Sequence, residues 1–346
     1  MSTKPMRAQV EEYILDLQNR IVTAFEKLDP NSPPFKRDEW TRKEGGRGMS
    51  CVFATPDQTT SLLEKAGVNI SIVHGLLPPA AMKQMRAEHG SVPIGDISMP
   101  FFAAGISLVV HPRNPHAPTV HANYRYFEIT DLPKEGETED ADGGPTKGKL
   151  LAWWFGGGCD LTPSYLYEED AVHFHKTIKA ACDPHGVILY PELKKWCDKY
   201  FYIPHRGESR GIGGIFFDDL CDQKHHIIPD DAERPRTPAD IFDFVKSAGD
   251  AFIPSYLPIL ELRVRAQFTP EQRRWQLLRR GRYVEFNLVY DRGTKFGLAT
   301  PSARIESVLM SLPETARWEY MSEVGTEEGS EEAKCLEVLR SPKEWV

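Results

Sequence analysis

Runs of β-branched and aromatic residues follow one another in the middle of this chain with no helix-length segment between them. Residues 105–111, 120–130 and 150–155 are such runs, separated by loops rich in Pro, Gly and polar residues. Antiparallel strands are joined by connections of this kind, whereas parallel strands need a crossover that is usually a helix. The order of the runs therefore predicts an α+β fold built on a large, mainly antiparallel sheet.

Further elements complete this prediction. Apolar residues recur at helical spacing near the N-terminus and predict a helix over residues 6–28. The other predicted strands are 49–53, 211–217 and 282–289, and the other predicted helices are 168–181, 191–200, 238–251 and 270–280. The segment 133–149 is polar, Gly-rich and without periodicity, which predicts an exposed loop inserted between two strands.

Charge and cysteine usage exclude several classes of protein. The 346 residues carry a net charge of -8, which disfavours binding to nucleic acid or to anionic membranes. The six cysteines are scattered without a CxxC pair, which is typical of reduced thiols. We find no membrane-length apolar run and no targeting segment at the start of the chain, so we expect a cytoplasmic protein.

Three clusters of residues stand out chemically. Alternation along the run 120–130 places His121, Asn123 and Arg125 on one face of a strand, where either solvent or a ligand contacts them. Asp160 follows three glycines that allow close approach of backbone or ligand, although an Asp before Thr-Pro also suits a simple turn. A third cluster carries Arg206 and Arg210, and guanidinium groups of this kind bind carboxylates through paired hydrogen bonds.

Long motifs within and beyond these clusters resemble one enzyme family. The motifs are Trp-Trp-Phe-Gly-Gly-Gly-Cys-Asp-Leu-Thr-Pro, Lys-Trp-Cys-Asp-Lys-Tyr-Phe, His-Arg-Gly-Glu-Ser-Arg-Gly-Ile-Gly-Gly-Ile-Phe-Phe-Asp-Asp-Leu and Gly-Arg-Tyr-Val-Glu-Phe-Asn-Leu-Val-Tyr-Asp-Arg-Gly-Thr-Lys-Phe-Gly-Leu. With them the chain, from about residue 25 to its end, resembles the oxygen-dependent coproporphyrinogen-III oxidases. These enzymes of haem synthesis convert two propionates of coproporphyrinogen III into the vinyl groups of protoporphyrinogen IX.

The resemblance implies a single domain over residues 1–346, with residues 1–24 in an N-terminal helix and other helices on both faces of the sheet. It also implies O2 as oxidant, release of CO2 and H2O2, no organic cofactor, and a homodimer whose interface includes residues 280–307. The loop 133–149 is a departure from the family pattern, which often keeps this loop short.

The resemblance also assigns roles to individual residues. His121 matches the proton donor of the family, and Asp160 matches an aspartate that faces the pyrrole nitrogens, with Arg206 and Arg210 beside it. The implied substrate contacts are Ser107, Asn123, Tyr124, Arg125, Ser302, Ala303 and Arg304.

Two alternatives remain open from the sequence. A metal-dependent oxidase would use a cluster of His111, His121, His175 and His205, since imidazole suits several transition metals, although the spacing of the four is not that of a common metal motif. A non-catalytic tetrapyrrole carrier would also need arginines and aromatic residues, but it would not need a carboxylate beside glycines. We expect an enzyme that requires no metal.

Overall fold

The computed structural model describes residues 4–55, 60–87, 89–132, 148–299 and 303–346. Ser302, a predicted substrate contact, lies outside these residues. The predicted loop 133–149 also lies outside them, except for residues 148 and 149. The first part of the chain forms helix α1 (Met6–Leu28) and then strands β1 (Lys36–Thr41), β2 (Gly46–Ala54) and β3 (Leu63–Leu77). It continues through helix α2 (Pro79–Met85) to strands β4 (Met99–Pro112), β5 (Thr119–Thr130) and β6 (Leu150–Thr162).

The second part is mainly helical. Helices α3 (Glu168–Cys182) and α4 (Leu189–Tyr200) are followed by the short hairpin β7 (Tyr202–Ile203) and β8 (Glu208–Ser209), and by strand β9 (Gly214–Leu220). The remaining helices are α5 (Pro238–Asp250), α6 (Phe252–Arg263), α7 (Pro270–Val289), α8 (Arg292–Ala299), α9 (Ile305–Leu309) and α10 (Glu331–Arg340).

Seven strands form one antiparallel sheet in the order β1-β2-β3-β4-β5-β6-β9. Helix α1 covers one face, where Gln18 donates to the Val68 carbonyl, and α5 contacts the same face through the Ala248 carbonyl, which accepts from Tyr124. Helix α4 contacts the opposite face at Phe216, and α7 contacts it at His111. The predicted α+β fold, with an antiparallel sheet between helices, is therefore confirmed.

Two local predictions of secondary structure were wrong. Residues 282–289, predicted as a strand, form the last turns of α7, whose Thr269 and Gln272 make a reciprocal N-terminal capping box. Tyr283, Phe286 and Asn287 are buried at helical spacing, so packing on one helix face overrides their strand propensity. Strand β3 was missed because Gly67, Asn69, Ser71 and Gly75 disfavour strands in isolation.

Candidate active site

The face of the sheet opposite α1, here called the site face, has a polar and glycine-rich centre. Residues paired across antiparallel strands point to the same side, so the register assigns the face directly. One row across the sheet contains Asn69, Ser107, Asn123 and Gly158, and the next contains Ser71, Gly105, Arg125 and Gly156. Four strands at a spacing of ~4.8 Å make this floor about 14 Å wide, enough for a broad ring-shaped ligand.

Apolar and aromatic side chains border the floor at one end. Phe127 stacks on Phe101 with ring centroids 5.7 Å apart and on Trp154 at 4.5 Å. Trp154 in turn stacks on His89 at 4.2 Å, and the Nδ1 atom of His89 lies 3.1 Å from a carboxylate oxygen of Asp219. The border therefore consists of stacked aromatic rings and one polar contact, between His89 and Asp219 on β9.

A chain of three ionisable side chains lies at the other end of the floor. His121 on β5 and Asp160 on β6 face each other in register, and His121 Nδ1 lies 2.7 Å from Asp160 Oδ1. Arg210 donates from Nη2 to the other oxygen of Asp160, also at 2.7 Å. Each oxygen of the carboxylate therefore has its own charged or polar partner.

Burial gives this chain its electrostatic character. Asp160 and Arg210 are both 2% exposed. Burial alone would raise the pKa of Asp160, but the charge of Arg210 and the hydrogen bond from His121 outweigh it and hold the pKa below its ordinary value. Asp160 is consequently an anion that fixes its two neighbours.

Aromatic rings hold the Arg210 guanidinium in place. Its Cζ atom lies 4.0 Å from the centroid of the Phe201 ring, 4.6 Å from that of Tyr283 and 5.0 Å from that of Phe286. Ring faces attract a buried cation, and three rings leave it little freedom to rotate. These three aromatic residues were not predicted from the sequence, because they come from the end of α4 and from α7, which are far apart in the chain.

Asn123 lies next to the imidazole on the same strand. Its Nδ2 atom is 3.4 Å from His121 Nε2. Because Asn123 Nδ2 can only donate, this contact leaves Nε2 as the acceptor and puts the imidazole proton on Nδ1, toward Asp160. His121 Nδ1 therefore points to Asp160, and its Nε2 atom points to Asn123 and the floor.

Six of the predicted site residues lie on the site face or contact a residue that does, and the others lie elsewhere. His121, Asp160, Arg210 and Asn123 are in contact, while Ser107 pairs with Asn123 across the sheet and Arg125 follows in the next row. Tyr124 points to the opposite face, where it is buried and donates to the Ala248 carbonyl at 2.9 Å. Its predicted contact with substrate stays a prediction, and its side chain is not on the site face.

Arg206 and the residues before α9 lie elsewhere. Arg206 donates from Nε and Nη2 to Glu285 at 2.8 and 2.6 Å, so it is paired with α7 and not with Asp160. Arg304 forms an ion pair with Asp38 on β1, and Ala303 precedes it at a partly buried position. Strands β2, β3 and β4 lie between β1, where Arg304 is paired, and β5, which carries His121.

The predicted role of Asp160, as an aspartate that faces the pyrrole nitrogens of the substrate, stays a prediction. In the structure both of its oxygens are bonded within the protein and the side chain is buried. Its position behind His121 favours an orienting role, because imidazole N–H donation to a carboxylate fixes the ring and its tautomer.

The four histidines considered as metal ligands do not converge. His111 contacts Thr119 and Ser311, and His175 contacts Tyr190 and Ile212. His205 contacts Tyr290 and Glu285, so the three histidines have separate partners. Within the described ranges no group of three His, Cys, Asp or Glu residues has metal-binding geometry. The alternative metal site made of these residues is therefore not assembled there.

The fold and this site define a class of protein. A buried carboxylate that orients an imidazole is an arrangement for moving protons. It opens here on a broad polar floor that carries arginine, which suits a large ligand with carboxylates. The described chain thus has the features of an α+β acid–base enzyme. Among the described residues, no helix is long and apolar enough to cross a membrane.

Comparison with known proteins identifies the family within that class. The model of the coproporphyrinogen III oxidase family matches residues 9–345. The human mitochondrial oxygen-dependent coproporphyrinogen-III oxidase is 53% identical over 341 residues, which are 99% of this chain and 67% of the human protein. The chain is also 52% identical to the Drosophila melanogaster enzyme of that name over 99% of its own length and 78% of the relative.

A plant relative gives the same result. The chloroplastic oxygen-dependent coproporphyrinogen-III oxidase of Glycine max is 50% identical over 345 residues, 100% of this chain and 81% of the plant protein. The chain belongs to the coproporphyrinogen III oxidase family, and it is an oxidoreductase of that family. The family predicted from the sequence motifs is therefore confirmed.

Proposed function

We propose that this protein catalyses the oxygen-dependent oxidative decarboxylation of coproporphyrinogen III to protoporphyrinogen IX in haem biosynthesis. For each of two propionates, the substrate, one O2 and one proton give a vinyl group, one CO2 and one H2O2. The bond to the carboxyl carbon and one C–H bond at the propionate β-carbon break, and O2 takes up the two electrons. The observation that supports this reaction best is the His121–Asp160 dyad at the end of the polar floor, in a chain of this family.

His121 is the proton carrier of the proposed mechanism. Its Nδ1–H group donates to Asp160, so Nε2 is the nitrogen that accepts the N–H proton of the pyrrole that bears the reacting propionate. The substrate displaces the long contact of 3.4 Å between Nε2 and Asn123 Nδ2. The deprotonated ring is electron-rich enough to reduce O2. His121 then returns this proton to the ring nitrogen, while the proton from the β-carbon and one from solvent complete the H2O2.

Asp160 and Arg210 act behind His121 in this mechanism. The Asp160 anion stabilises the imidazolium that forms when Nε2 accepts a proton, and it prevents the ring from rotating. Arg210 favours the ionised form of the carboxylate, because it supplies a permanent charge at 2.7 Å. Both residues are therefore positioning residues, and His121 is the catalytic residue.

The substrate lies on the polar floor in this proposal. Ser107 is exposed at its centre, Asn123 lies toward the dyad, and Arg125 provides a half-exposed guanidinium for a propionate. Small residues in both rows leave room for the macrocycle. Ala303 and Arg304 are further substrate contacts in this proposal, because the family resemblance assigns this role to them and to Ser302, which lies outside the described residues.

No cofactor and no metal take part in the proposed reaction, because the substrate itself supplies the electrons. The protein orients the propionate and the pyrrole against His121 and excludes water from them. Metal analysis of active protein tests this statement directly.

We propose a homodimer in the cytoplasm. Four apolar side chains within residues 280–307 are about two-fifths exposed or more, which supports an interface there, namely Leu288, Val289, Leu298 and Ile305. All six cysteines are buried free thiols, which suits a reducing compartment. Because relatives are named mitochondrial or chloroplastic, fractionation of cells that express the tagged protein decides the compartment.

Aerobic incubation with coproporphyrinogen III tests the function. Conversion is followed by fluorescence of the product after its oxidation to porphyrin, and oxygen uptake is measured in the same sample. The proposal expects two O2 consumed per protoporphyrinogen IX. Tight binding of the tetrapyrrole without turnover would instead identify a carrier.

A further inference from the structure

The β7–β8 hairpin brings Arg210 to Asp160, but the hairpin is very short. Each of its strands has two residues, and the two strands form a sheet separate from the seven-stranded one. An isolated two-stranded hairpin is at best marginally stable in water. The position of Arg210 therefore depends on contacts that the hairpin makes with other elements.

The chain that follows Arg210 is tied to the large sheet. The Ile212 N–H donates to the Leu161 carbonyl at 2.9 Å, and the Leu161 N–H donates to the Gly213 carbonyl at 3.0 Å. Leu161 is the residue after Asp160 in β6, so these bonds place the end of the hairpin beside the carboxylate. The direction of the hairpin before Arg210 has to be fixed from another side.

Helix α7 fixes the hairpin through a buried ion pair. Arg279 of α7 donates from Nη1 to Oε1 of Glu208 on β8, and both residues are 5% exposed. Arg282 Nε lies 3.7 Å from the same oxygen. Glu208 and Arg210 are two residues apart in an extended segment, so their side chains point to the same side. The ion pair therefore holds the side of the hairpin that carries Arg210.

A second contact joins the turn of the hairpin to the same helix. Arg206 donates twice to Glu285, and His205 Nε2 lies 2.7 Å from a carboxylate oxygen of Glu285. Here the acid is on the helix and the bases are on the hairpin, whereas the Glu208 pair has the opposite order. Helix α7 thus holds the hairpin at two points, both of which precede Arg210 in the chain.

The same helix also contacts the Arg210 side chain. Tyr283 and Phe286 place their rings on its guanidinium, and Asn287 Oδ1 accepts from its Nη1 atom at 3.4 Å. Arg279, Tyr283 and Phe286 follow one another at helical spacing, so one face of α7 provides both the ion pair and the rings. A shift of the hairpin along this face would move the guanidinium away from its rings and its carboxylate.

We propose that Glu208 and Arg279 are positioning residues, whose ion pair locks the β7–β8 hairpin on α7 so that Arg210 stays directed at Asp160. The charge of Arg210 is then in place before any proton moves, and preorganised charge of this kind needs no rearrangement during the reaction. The inference rests on the proposed function for the reaction that the pair serves.

Arg206 has a related role in this proposal. It joins the turn of the hairpin to Glu285 and so supports the position of Arg210 without contacting Asp160. Its guanidinium is 36% exposed, so this contact is weaker than the buried one.

Steady-state turnover of Glu208→Ala measures the effect of releasing the hairpin. We expect kcat per folded molecule to fall roughly 10- to 100-fold, the loss typical of a small displacement near the reacting groups. KM for coproporphyrinogen III should stay close to the wild type, because the floor is unchanged. The matched control is Asp170→Asn, which breaks an ion pair with Arg263 that is also buried but joins α3 to α6. An equal loss of kcat in this control would overturn the positioning role.

Arg206→Gln releases the turn without disturbing the buried pair. Glu285 keeps its contacts with His205 and Trp318, so this variant tests the proposal even where the Glu208 variant does not fold. We expect kcat to fall by a smaller factor than in Glu208→Ala, again with KM unchanged. Arg274→Gln is the control, because Arg274 also donates twice to a glutamate on the surface but is not part of the hairpin contact. Wild-type kcat in Arg206→Gln and in Glu208→Ala would contradict the proposal.

Coupling to Arg210 separates positioning from general destabilisation. Because Glu208 acts through Arg210, Glu208→Ala should have little further effect on kcat in a protein that already carries Arg210→Gln. Two single effects that multiply in the double variant would show that Glu208 acts independently of Arg210 and would overturn the proposal.

A readout without turnover distinguishes failure of this inference from failure of the proposed function. Proton NMR detects the hydrogen-bonded Nδ1 proton of His121, and its loss in His121→Gln identifies the signal. The signal should shift in Glu208→Ala and stay in place in Asp170→Asn, because the first change alone moves a partner of Asp160. Wild-type protein that does not turn over coproporphyrinogen III, together with this shift, contradicts the proposed reaction and leaves the positioning role intact. An unchanged signal with wild-type kcat in Glu208→Ala overturns the positioning role.

Discussion

His121 and Asp160 lie directly opposite each other on neighbouring antiparallel strands, and a hydrogen bond of 2.7 Å joins their side chains. A strand pair holds this distance more rigidly than two loops do, because the ladder on either side of the pair fixes both backbones. The dyad is therefore set by the sheet itself. The Nε2 atom of His121 faces the floor on which we expect the substrate to lie.

Replacing His121 by Gln removes the proton carrier while preserving the Asp160–Arg210 pair. We expect turnover to fall by roughly 100-fold or more, the lower limit for loss of a positioned acid–base group. The thermal midpoint should stay close to the wild type, because His121 is partly exposed. His226→Gln, which changes an exposed histidine away from the floor, is the control, and unchanged turnover in both variants would exclude His121 from the chemistry.

Oxygen and metal requirements distinguish the proposed oxidase from a metal-dependent one. Removal of O2 should stop the reaction, while prolonged treatment with a chelator should leave kcat unchanged, because electrons pass from substrate to O2 directly. Elemental analysis of the treated protein accompanies the assay. Loss of activity on chelation that one added metal restores would contradict the proposal.

Glu64 gives the protein a defined response to acid. Burial alone would raise the pKa of Glu64, but the charges of Arg280 and Arg273 lower it to about 2. Since the folded pKa is below the ordinary value of 4.5, this carboxylate stabilises the fold above about pH 4.5 and loses that effect as the pH falls toward 2. Glu64→Gln should reduce the free energy of unfolding at pH 7 by ~3 to 5 kcal/mol, because Arg280 stays buried without its partner.

Chemical denaturation at pH 7 and at pH 3.5 measures this effect. We expect the difference between wild type and variant to shrink at pH 3.5. At that pH Glu64 of the unfolded wild type is mostly protonated, so folding must release a proton and the wild type loses stability. A difference that is the same at both pH values would show that Glu64 acts by packing and not by charge.

The apolar side chains of α7 to α9 predict how the chain associates. Leu288→Glu puts a charge into the proposed interface and should convert a dimer into a monomer, because burying an unpaired carboxylate is unfavourable. Light scattering after size exclusion measures the mass. Leu262→Glu, at an exposed position on α6, is the control and should leave the mass unchanged.

The sequence predicted the antiparallel sheet and the shared face of His121, Asn123 and Arg125, because both depend on a strand period of two. It did not predict β3, whose glycines and small polar residues form the floor and so obscure the strand pattern. It also did not distinguish Arg210 from Arg206. The two are four residues apart, but only Arg210 is buried against Asp160, while Arg206 is paired with Glu285 on α7.

Residue patterns alone did not predict the partners of Asp160, although the family resemblance placed Arg210 beside it. His121 and Arg210 are 39 and 50 residues away from Asp160 in the chain, so their convergence depends on the pairing of β5 with β6 and on the β7–β8 hairpin. The bulge in the pairing of β6 with β9 is another feature that no residue pattern marks. These features belong to tertiary packing, which local periodicity does not encode.

Aerobic turnover of coproporphyrinogen III by Asp160→Asn, measured beside the wild type at equal concentrations of folded protein, tests the central claim most directly. Asn retains the shape of Asp but removes the charge that orients His121 and neutralises Arg210. We expect a fall in turnover of at least ~100-fold and, because Arg210 remains buried, a lower thermal midpoint. A folded Asp160→Asn protein that forms protoporphyrinogen IX at nearly the wild-type rate would contradict the account.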